Sequence, residues 1–251
     1  MNTETVQKEW FTSWFDSPYY HTLYKDRDDN EARGAIDGLL QALQLPEGAR
    51  VLDLACGKGR HALYLAEKGF DVTGLDISEA SIGFARQYES DNLAFYQHDM
   101  RLPFRIRYFD AVMNFFTSFG YFDNDLDHLK SLKNVAAGLR PGGRFLLDFF
   151  NENHVRDQLV MQEEKIVDGI TFSIKRCLLE GYVIKTVEFN SKGQEYHFQE
   201  KVRMFTLEDL ESLCTTAGLN VCKRFGSYDL EAFDPEVSPR LILMAEKITS
   251  L

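Results

Sequence analysis

The sequence predicts an α/β fold, with a doubly wound parallel sheet and a small antiparallel β insertion. Three observations predict it. From Arg50 to Asn151, short apolar runs alternate with helix-like segments. A small-residue turn, Ala55-Cys56-Gly57-Lys58-Gly59, follows the first apolar run. From Ile170 the pattern changes to runs that alternate apolar and polar residues. Hydrophobic residues make up 44% of the 251 residues and charged residues 27%, which suits one folded domain and excludes a disordered chain.

Taken in order, Glu4–Phe15 and Glu31–Leu43 read as helices. The apolar runs of the core are Val51–Leu54, Val72–Leu75, Leu93–Gln97, Ala111–Phe115 and Phe145–Phe150. They are nearly continuous, as strands covered on both faces must be. Helical patterns at Arg60–Lys68, Glu79–Glu89 and Leu126–Leu139 separate several of them, so the strands pair in parallel through right-handed crossovers. Pro141-Gly142-Gly143 punctuates the last helix before its strand. The runs ITFSIKRC, YVIKTVEFN and YHFQEKVRMF then predict a three-stranded antiparallel meander. Thr206 opens a capped helix that ends at Gly218, and strands at Asn220–Gly226 and Arg240–Glu246 follow. This divides the chain into a main domain, 1–162 with 206–251, bearing an N-terminal helical cap, and an insertion, 163–205.

A net charge of −11 argues against a nucleic-acid backbone as partner. The first ten residues carry no basic-then-apolar leader, and no 18-residue apolar run occurs, so a cytoplasmic protein without membrane spans is expected. Cys56, Cys177, Cys214 and Cys222 form no C-x-x-C pair and are expected to be free thiols, not metal ligands.

The small-residue turn lets a ligand approach the backbone, and the helix after it offers free N–H groups. Asp76 ends the second strand 17 residues after Gly59, where a carboxylate can accept from both ribose hydroxyls of an adenosine-containing ligand. Asp99 lies just beyond the third strand. Each feature alone has a plainer reading, a tight turn or a solvated strand end. Together they fall at the carboxyl edge of a parallel sheet, where ligands bind. The loose pattern Gly57-x-Gly59-x-x-Ala62 also suits a dinucleotide-binding dehydrogenase, and Asp76 would serve either cofactor.

LDLACGKGR, GLDIS and HDM resemble the successive nucleoside-binding motifs of class I S-adenosylmethionine-dependent methyltransferases. FDAVMNFFTSFGYF resembles that family's fourth-strand motif and PGGRFLLDFF its fifth strand. The resemblance covers residues 48–152 and, more weakly, 206–247. It implies a Rossmann-like, seven-stranded sheet whose last strand, Leu241–Ala245, is antiparallel. It implies S-adenosylmethionine as cofactor and methyl transfer to a small-molecule acceptor. By the same resemblance, Asp53, Ala55, Gly57 and Gly59 hold the methionine part. Asp76 holds the ribose, Ile77 packs on adenine, Asp99 accepts its amine beside Met100, and Asn114 faces the sulfonium. Ala55 stands where the family has its first glycine, and an Ala is tolerated there if φ stays negative.

Seven aromatics crowd residues 10–24, and Phe115, Phe116, Phe119, Tyr121 and Phe122 follow strand four. Trp10, Trp14 and Phe11 suit a packed helix face. Tyr20 and Tyr24 follow the loop signal Ser17-Pro18 and are expected to lid the site, Tyr20 over the cofactor and Tyr24 toward the acceptor. Phe116, Phe119 and Tyr121 are expected to shape the acceptor pocket. Methyl transfer needs a general base only when the acceptor must lose a proton. His21 and His154 are the candidates for it. The insertion carries seven acidic and seven basic residues and is read either as a cap or as the interface of a homodimer. A cofactor-binding regulator without turnover is the alternative from outside enzymology.

Overall fold

The computed structural model describes residues 9–25 and 29–248, giving the backbone alone for 29–32 and 35. Strands β1 (Arg50–Leu54), β2 (Asp71–Asp76), β3 (Leu93–Gln97), β4 (Phe109–Asn114) and β5 (Leu139–Phe150) build the parallel part of a seven-stranded sheet. Strands β10 (Leu219–Phe225) and β11 (Arg240–Lys247) complete it, in the order β10-β11-β5-β4-β1-β2-β3. β11 runs antiparallel to both β5 and β10, as the expected last strand does. In β4 every residue is buried, because helices cover both faces of the sheet.

Helices α3 (Asp29–Leu43), α4 (Arg60–Glu67) and α5 (Glu79–Ala85) cover one face, where Leu39, Leu65, Ile82, Val51 and Met113 pack. α6 (Asp125–Gly138) and α8 (Leu207–Ala217) cover the other, against Val112, Phe145 and Phe149. α8 starts in a full capping box between Thr206 and Asp209 and stops at Gly218, whose φ is +87°. Between Phe109 and Ala111 the β4–β5 register jumps from Leu139 to Arg144. Pro141-Gly142-Gly143 is thereby looped out inside β5 and does not precede it.

The insertion has four strands where three are expected. β6 (Gln162–Val167), β7 (Ile170–Leu179), β8 (Tyr182–Ser191) and β9 (Gln194–Arg203) form an antiparallel sheet in chain order. β6 is an edge strand of mostly exposed, charged residues and shows little apolar alternation. Each hairpin turns on two residues, Asp168-Gly169, Glu180-Gly181 and Lys192-Gly193, with φ positive at both. That is the backbone of a type I′ turn, whose twist matches the strands it joins.

The inner face of this sheet buries Phe172, Ile174, Val187 and Phe189 against Trp14 and Leu23 of two short helices, α1 (Trp10–Phe15) and α2 (Pro18–Leu23). α2 corrects the expected loop: the Ser17 side chain accepts from Tyr19 N, and Pro18 occupies the first turn, where it lacks no needed N–H. Of the expected helix Glu4–Phe15, residues 4–8 lie outside the described residues. The Glu79–Glu89 helix tightens after Ala85 into a 3₁₀ turn, Arg86–Tyr88. A further helix, α7 (Glu152–Gln158), follows β5.

Candidate functional site

A cavity of about 540 Å³ opens at the carboxyl edge of β1, β2, β3 and β4. That size lies in the range of roughly 300–1,000 Å³ typical of small-molecule sites. Ala55, Gly57, Asp76, Ile77, Asp99 and Met100 line one side. Tyr20, His21, Tyr24, Phe116 and Tyr121 line the other. The sheet edge and the N-terminal helices thus meet across one space. No residue of β6–β9 lines it. The insertion instead backs α1 and α2, which are the wall.

The floor follows from the turn after β1. Gly57 has φ +56° and Gly59 φ +83°. A Cβ on Gly57 would meet nothing within 4 Å, so its missing side chain leaves open space for a ligand. A Cβ on Gly59 would come within 2.5 Å of the Phe95 ring, so this glycine serves helix–strand packing and does not line the cavity.

Gly59 also caps α4 without a side chain. Asp53 supplies what is missing, for its carboxylate takes the Ala62 N–H in the first turn. Asp53 is 1% exposed, and its Oδ2 finds no partner among the described residues. Burial, and then the charge of Asp76, push its pKa up to about 7. It lies behind the cavity wall.

Asp76 accepts from Gly57 N and Ser78 N, both at 2.8 Å, which aims the carboxylate along the turn. Burial raises its pKa. Asp99 is held by the neighbouring Arg101, with Arg101 N at 2.8 Å from Oδ1 and a guanidinium nitrogen at 2.6 Å from Oδ2. Arg101 was not singled out in the sequence. A basic residue two places after a strand-end acid carries no motif of its own.

Ala55 overturns one expectation. Its φ is +63°, in the left-handed region, not negative. An L-residue there costs about 1–2 kcal/mol, and glycine removes that cost at the expense of about 0.4–1 kcal/mol of unfolded-chain entropy. Ala55→Gly is therefore expected to raise stability by about 0.5–1 kcal/mol in urea unfolding; a loss of stability would show that the methyl packs usefully.

The wall is aromatic. Trp10 and Phe15 contact Tyr121 at 5.4 and 5.3 Å, Phe15 contacts Tyr20 at 5.0 Å, and Tyr20 contacts Tyr24 at 4.9 Å. Tyr121 and Phe122 of the second aromatic group thus join the N-terminal group. Behind it, Trp14 Nε1 donates to Glu200 Oε1 at 2.7 Å, and Tyr24 OH lies 3.0 Å from the same oxygen. Lys185 pairs with Glu200 at 3.2 Å. This polar knot locks the helices onto β8 and β9.

Three further expected site residues do not line the cavity. Phe119 is buried in the core with His128 and Phe205. Asn114 is buried, and its Nδ2 donates to the Leu54 and Ser118 carbonyls at 2.8 and 3.3 Å, tying β4 to β1. His154 lies on α7 and does not reach the cavity. His21 does, but burial and then the charge of Lys58 push its pKa down to about 4. At neutral pH it is an uncharged, weak base.

The turn after β4 departs from ordinary backbone. Phe116 and Thr117, neither of them glycine, have φ +54° and +60°. Asp148 of β5, 0% exposed, holds them there. Its Oδ2 accepts from Phe116 N at 2.7 Å and from Tyr228 OH at 2.8 Å. Its Oδ1 accepts from Arg240 Nε at 2.8 Å, and Thr117 N donates to its backbone carbonyl at 2.9 Å. Phe116 is thereby stacked on His61, with centroids 5.1 Å apart.

These residues fit an adenosine-containing cofactor. Two carboxylates line a cavity that stays open beside Gly57, and a buried acid behind it keeps an unused oxygen. Among the described residues no group of His, Cys, Asp or Glu is placed to hold a metal ion, and no helix is long and apolar enough to cross a membrane.

Residues 51–143 match the family model of a methyltransferase domain. The YqeM protein of Bacillus subtilis (strain 168) is 43% identical over 107 residues, which is 41% of this chain and 43% of that relative, so the match spans less than half of its length. The dTDP-3-amino-3,4,6-trideoxy-alpha-D-glucopyranose N,N-dimethyltransferase of Streptomyces venezuelae is 29% identical over 217 residues, covering 80% of this chain and 89% of that one. An S-adenosylmethionine-dependent methyltransferase from Clostridium acetobutylicum ATCC 824 shares the fold, with a TM-score of 0.77 at 20% identity over 92% of this chain and 96% of that one.

Proposed function

We propose, from the premise that the chain belongs to the class I S-adenosylmethionine-dependent methyltransferases, that it methylates a small-molecule acceptor in the cavity at the sheet edge. The observation that carries this is the sheet order with β11 antiparallel between β5 and β10, above a turn flanked by Asp76 and Asp99. A dinucleotide-binding sheet instead continues in parallel through a sixth strand.

S-adenosylmethionine would supply, when bound, an electrophilic methyl whose carbon an acceptor's lone pair attacks in line with the C–S bond, the pair of that bond leaving on sulfur as S-adenosylhomocysteine. The chain's own residues bind, orient and shield. We assign Asp76 to the ribose hydroxyls, Ile77 and Met100 to the adenine faces, and Asp99 to its amine. The turn Ala55–Gly59 serves the methionine part. Tyr20, Tyr24, Phe116 and Tyr121 exclude water and frame the acceptor, and aromatic faces suit a cationic sulfonium. With His21 pushed down to about 4, no strong base is supplied by that residue, which favours an acceptor that is already a nucleophile. An amine is such an acceptor. The Streptomyces venezuelae relative is named for the dimethylation of a dTDP-linked amino sugar, so amino sugars of that kind are the first class to assay.

We read the β6–β9 unit as a cap that braces the lid helices, because its apolar face is spent on Trp14 and Leu23 and not left for a second copy. A cytoplasmic location remains part of this proposal.

Calorimetry tests the cofactor reading. S-adenosylhomocysteine should bind and NADH should not. Asp76→Ala should weaken S-adenosylhomocysteine by about 10–100-fold, the worth of charged hydrogen bonds at 1.5–3 kcal/mol. Binding of NADH alone would overturn the reading. Tight S-adenosylhomocysteine binding with no methyl transfer across amines, hydroxyls and thiols would leave a regulator in place of an enzyme.

A further inference from the structure

The N-terminal strap, Glu9 to Tyr24, grips both turns that carry the adenosine-binding acids. On the side of β2, Asp16 Oδ1 accepts from Ser78 Oγ at 3.0 Å and from Ala80 N at 2.9 Å, directly after Asp76-Ile77. On the side of β3 the grip is a single guanidinium. Arg101 donates from its two terminal nitrogens to Glu9 Oε1 and Oε2, both at 2.7 Å. The same side chain donates from Nε and a terminal nitrogen to Asp99 Oδ2, at 3.0 and 2.6 Å. Asp127 stands 3.6 Å away, and the Phe122 ring centre lies 4.9 Å from the guanidinium carbon. The Arg101 side chain is only 17% exposed. A guanidinium has five donors in a fixed plane and can serve two carboxylates at once, each through two bonds. An ammonium cannot.

Between these two grips, Phe11, Phe15 and Tyr20 of the strap line the cavity. Lifting the strap would withdraw these three rings from around a cofactor seated there. Lifting breaks the bonds from Glu9 to Arg101 and leaves Arg101 on Asp99.

We propose that Arg101 is a positioning residue that latches the strap over the cofactor, so that the Glu9–Arg101–Asp99 bridge sets the rate of cofactor exchange. The proposal rests on the cofactor reading above. Reciprocity between binding sites then requires that the cofactor close the strap as much as the closed strap holds the cofactor.

The test uses the full chain with S-adenosylhomocysteine as probe. Stopped-flow release of the probe and hydrogen exchange over residues 9–25 are measured for the wild type, Glu9→Gln and Arg101→Lys. The wild type should gain protection at residues 9–25 on saturation with the probe. Glu9→Gln should release it about 5–30-fold faster and lose that gain, a coupling of ordinary size. Its melting temperature without the probe should not change, since Glu9 is exposed and a surface pair adds little stability. Arg101→Lys should keep the charge yet fail to restore slow release; rescue by lysine would mean that only local charge matters and would overturn the latch. Release from Glu9→Gln at the wild-type rate, with wild-type protection, would also overturn it. Failure of the wild type to bind S-adenosylhomocysteine at all would remove the cofactor reading and the latch together.

Discussion

Asp148→Ala should lower stability by about 3–5 kcal/mol, the usual cost of stripping one partner from a buried ion pair. For a chain of this size that is a fall of roughly 6–20 °C in melting temperature. Asp148 has no exposed surface and takes bonds from Phe116 N, Tyr228 OH and Arg240. Removing it leaves four donor atoms on three residues to be satisfied elsewhere. It also frees the Phe116–Thr117 turn, where each left-handed residue stores about 1–3 kcal/mol that the surroundings must hold. The turn should then relax, and Phe116 should leave its stack on His61. Thermal melts and probe affinity measured together separate the two effects. A fall under about 1 kcal/mol, within the range of an exposed pair, would show that the bridge is not a buried one.

The second large effect is a pH dependence. Asp53 titrates at about 7 in the folded chain, against an ordinary value of 3.8, because burial and then Asp76 oppose its charge. A raised carboxyl pKa favours the protonated folded state. Its contribution to stability is complete below about pH 4 and is lost as pH rises through 7. Between pH 5 and pH 7 the loss approaches about 2–3 kcal/mol, at 1.36 kcal/mol per unit. Asp53→Asn keeps an acceptor for the Ala62 N–H but cannot ionise. Urea unfolding at the two pH values should show the wild type losing about 2–3 kcal/mol more than the variant over that range. The difference between the two proteins isolates Asp53 from the other titrating groups. Parallel pH profiles would sink the argument.

What could be read from the residues divides by range. β1 to β5 were legible because apolar runs between helical patterns announce a parallel sheet; β10 and β11 were legible as apolar runs, the antiparallel course of β11 only through the family resemblance. The glycine turn and the two strand-end acids were legible because they follow the ends of three successive strands, β1, β2 and β3. Asn114 and Phe119 were misplaced because β4 is buried on both faces, so parity along the strand does not tell which side chain meets a ligand. The two left-handed residues after it change the direction of everything that follows, and nothing in Phe-Phe-Thr signals them. Ala55 misled for a related reason. A side chain that ordinarily avoids positive φ is held there by the turn around it. Asp148, Tyr228 and Arg240 are 80 and 92 residues apart in sequence, and Glu9 and Arg101 are 92 apart. Pairings of that range leave no local trace. β6 escaped because an edge strand with charges on both faces looks like a loop.

The three two-residue turns of the insertion bear on the order in which the chain closes on itself. Every pairing in β6–β9 joins neighbours in sequence through a loop of minimal entropy cost. Such hairpins form on a scale of about 1–10 μs. The main sheet has no such shortcut. β1 reaches β4 across the whole of β2 and β3, and β11 enters beside β5 only after the insertion has been traversed. Contacts that distant form late. Kinetically, then, the brace precedes both the floor and the lid, since the lid docks on it through contacts 176 and 186 residues apart in sequence. A fault in the insertion's turns would therefore be felt first as a failure of assembly, before it was felt as a change in the finished site.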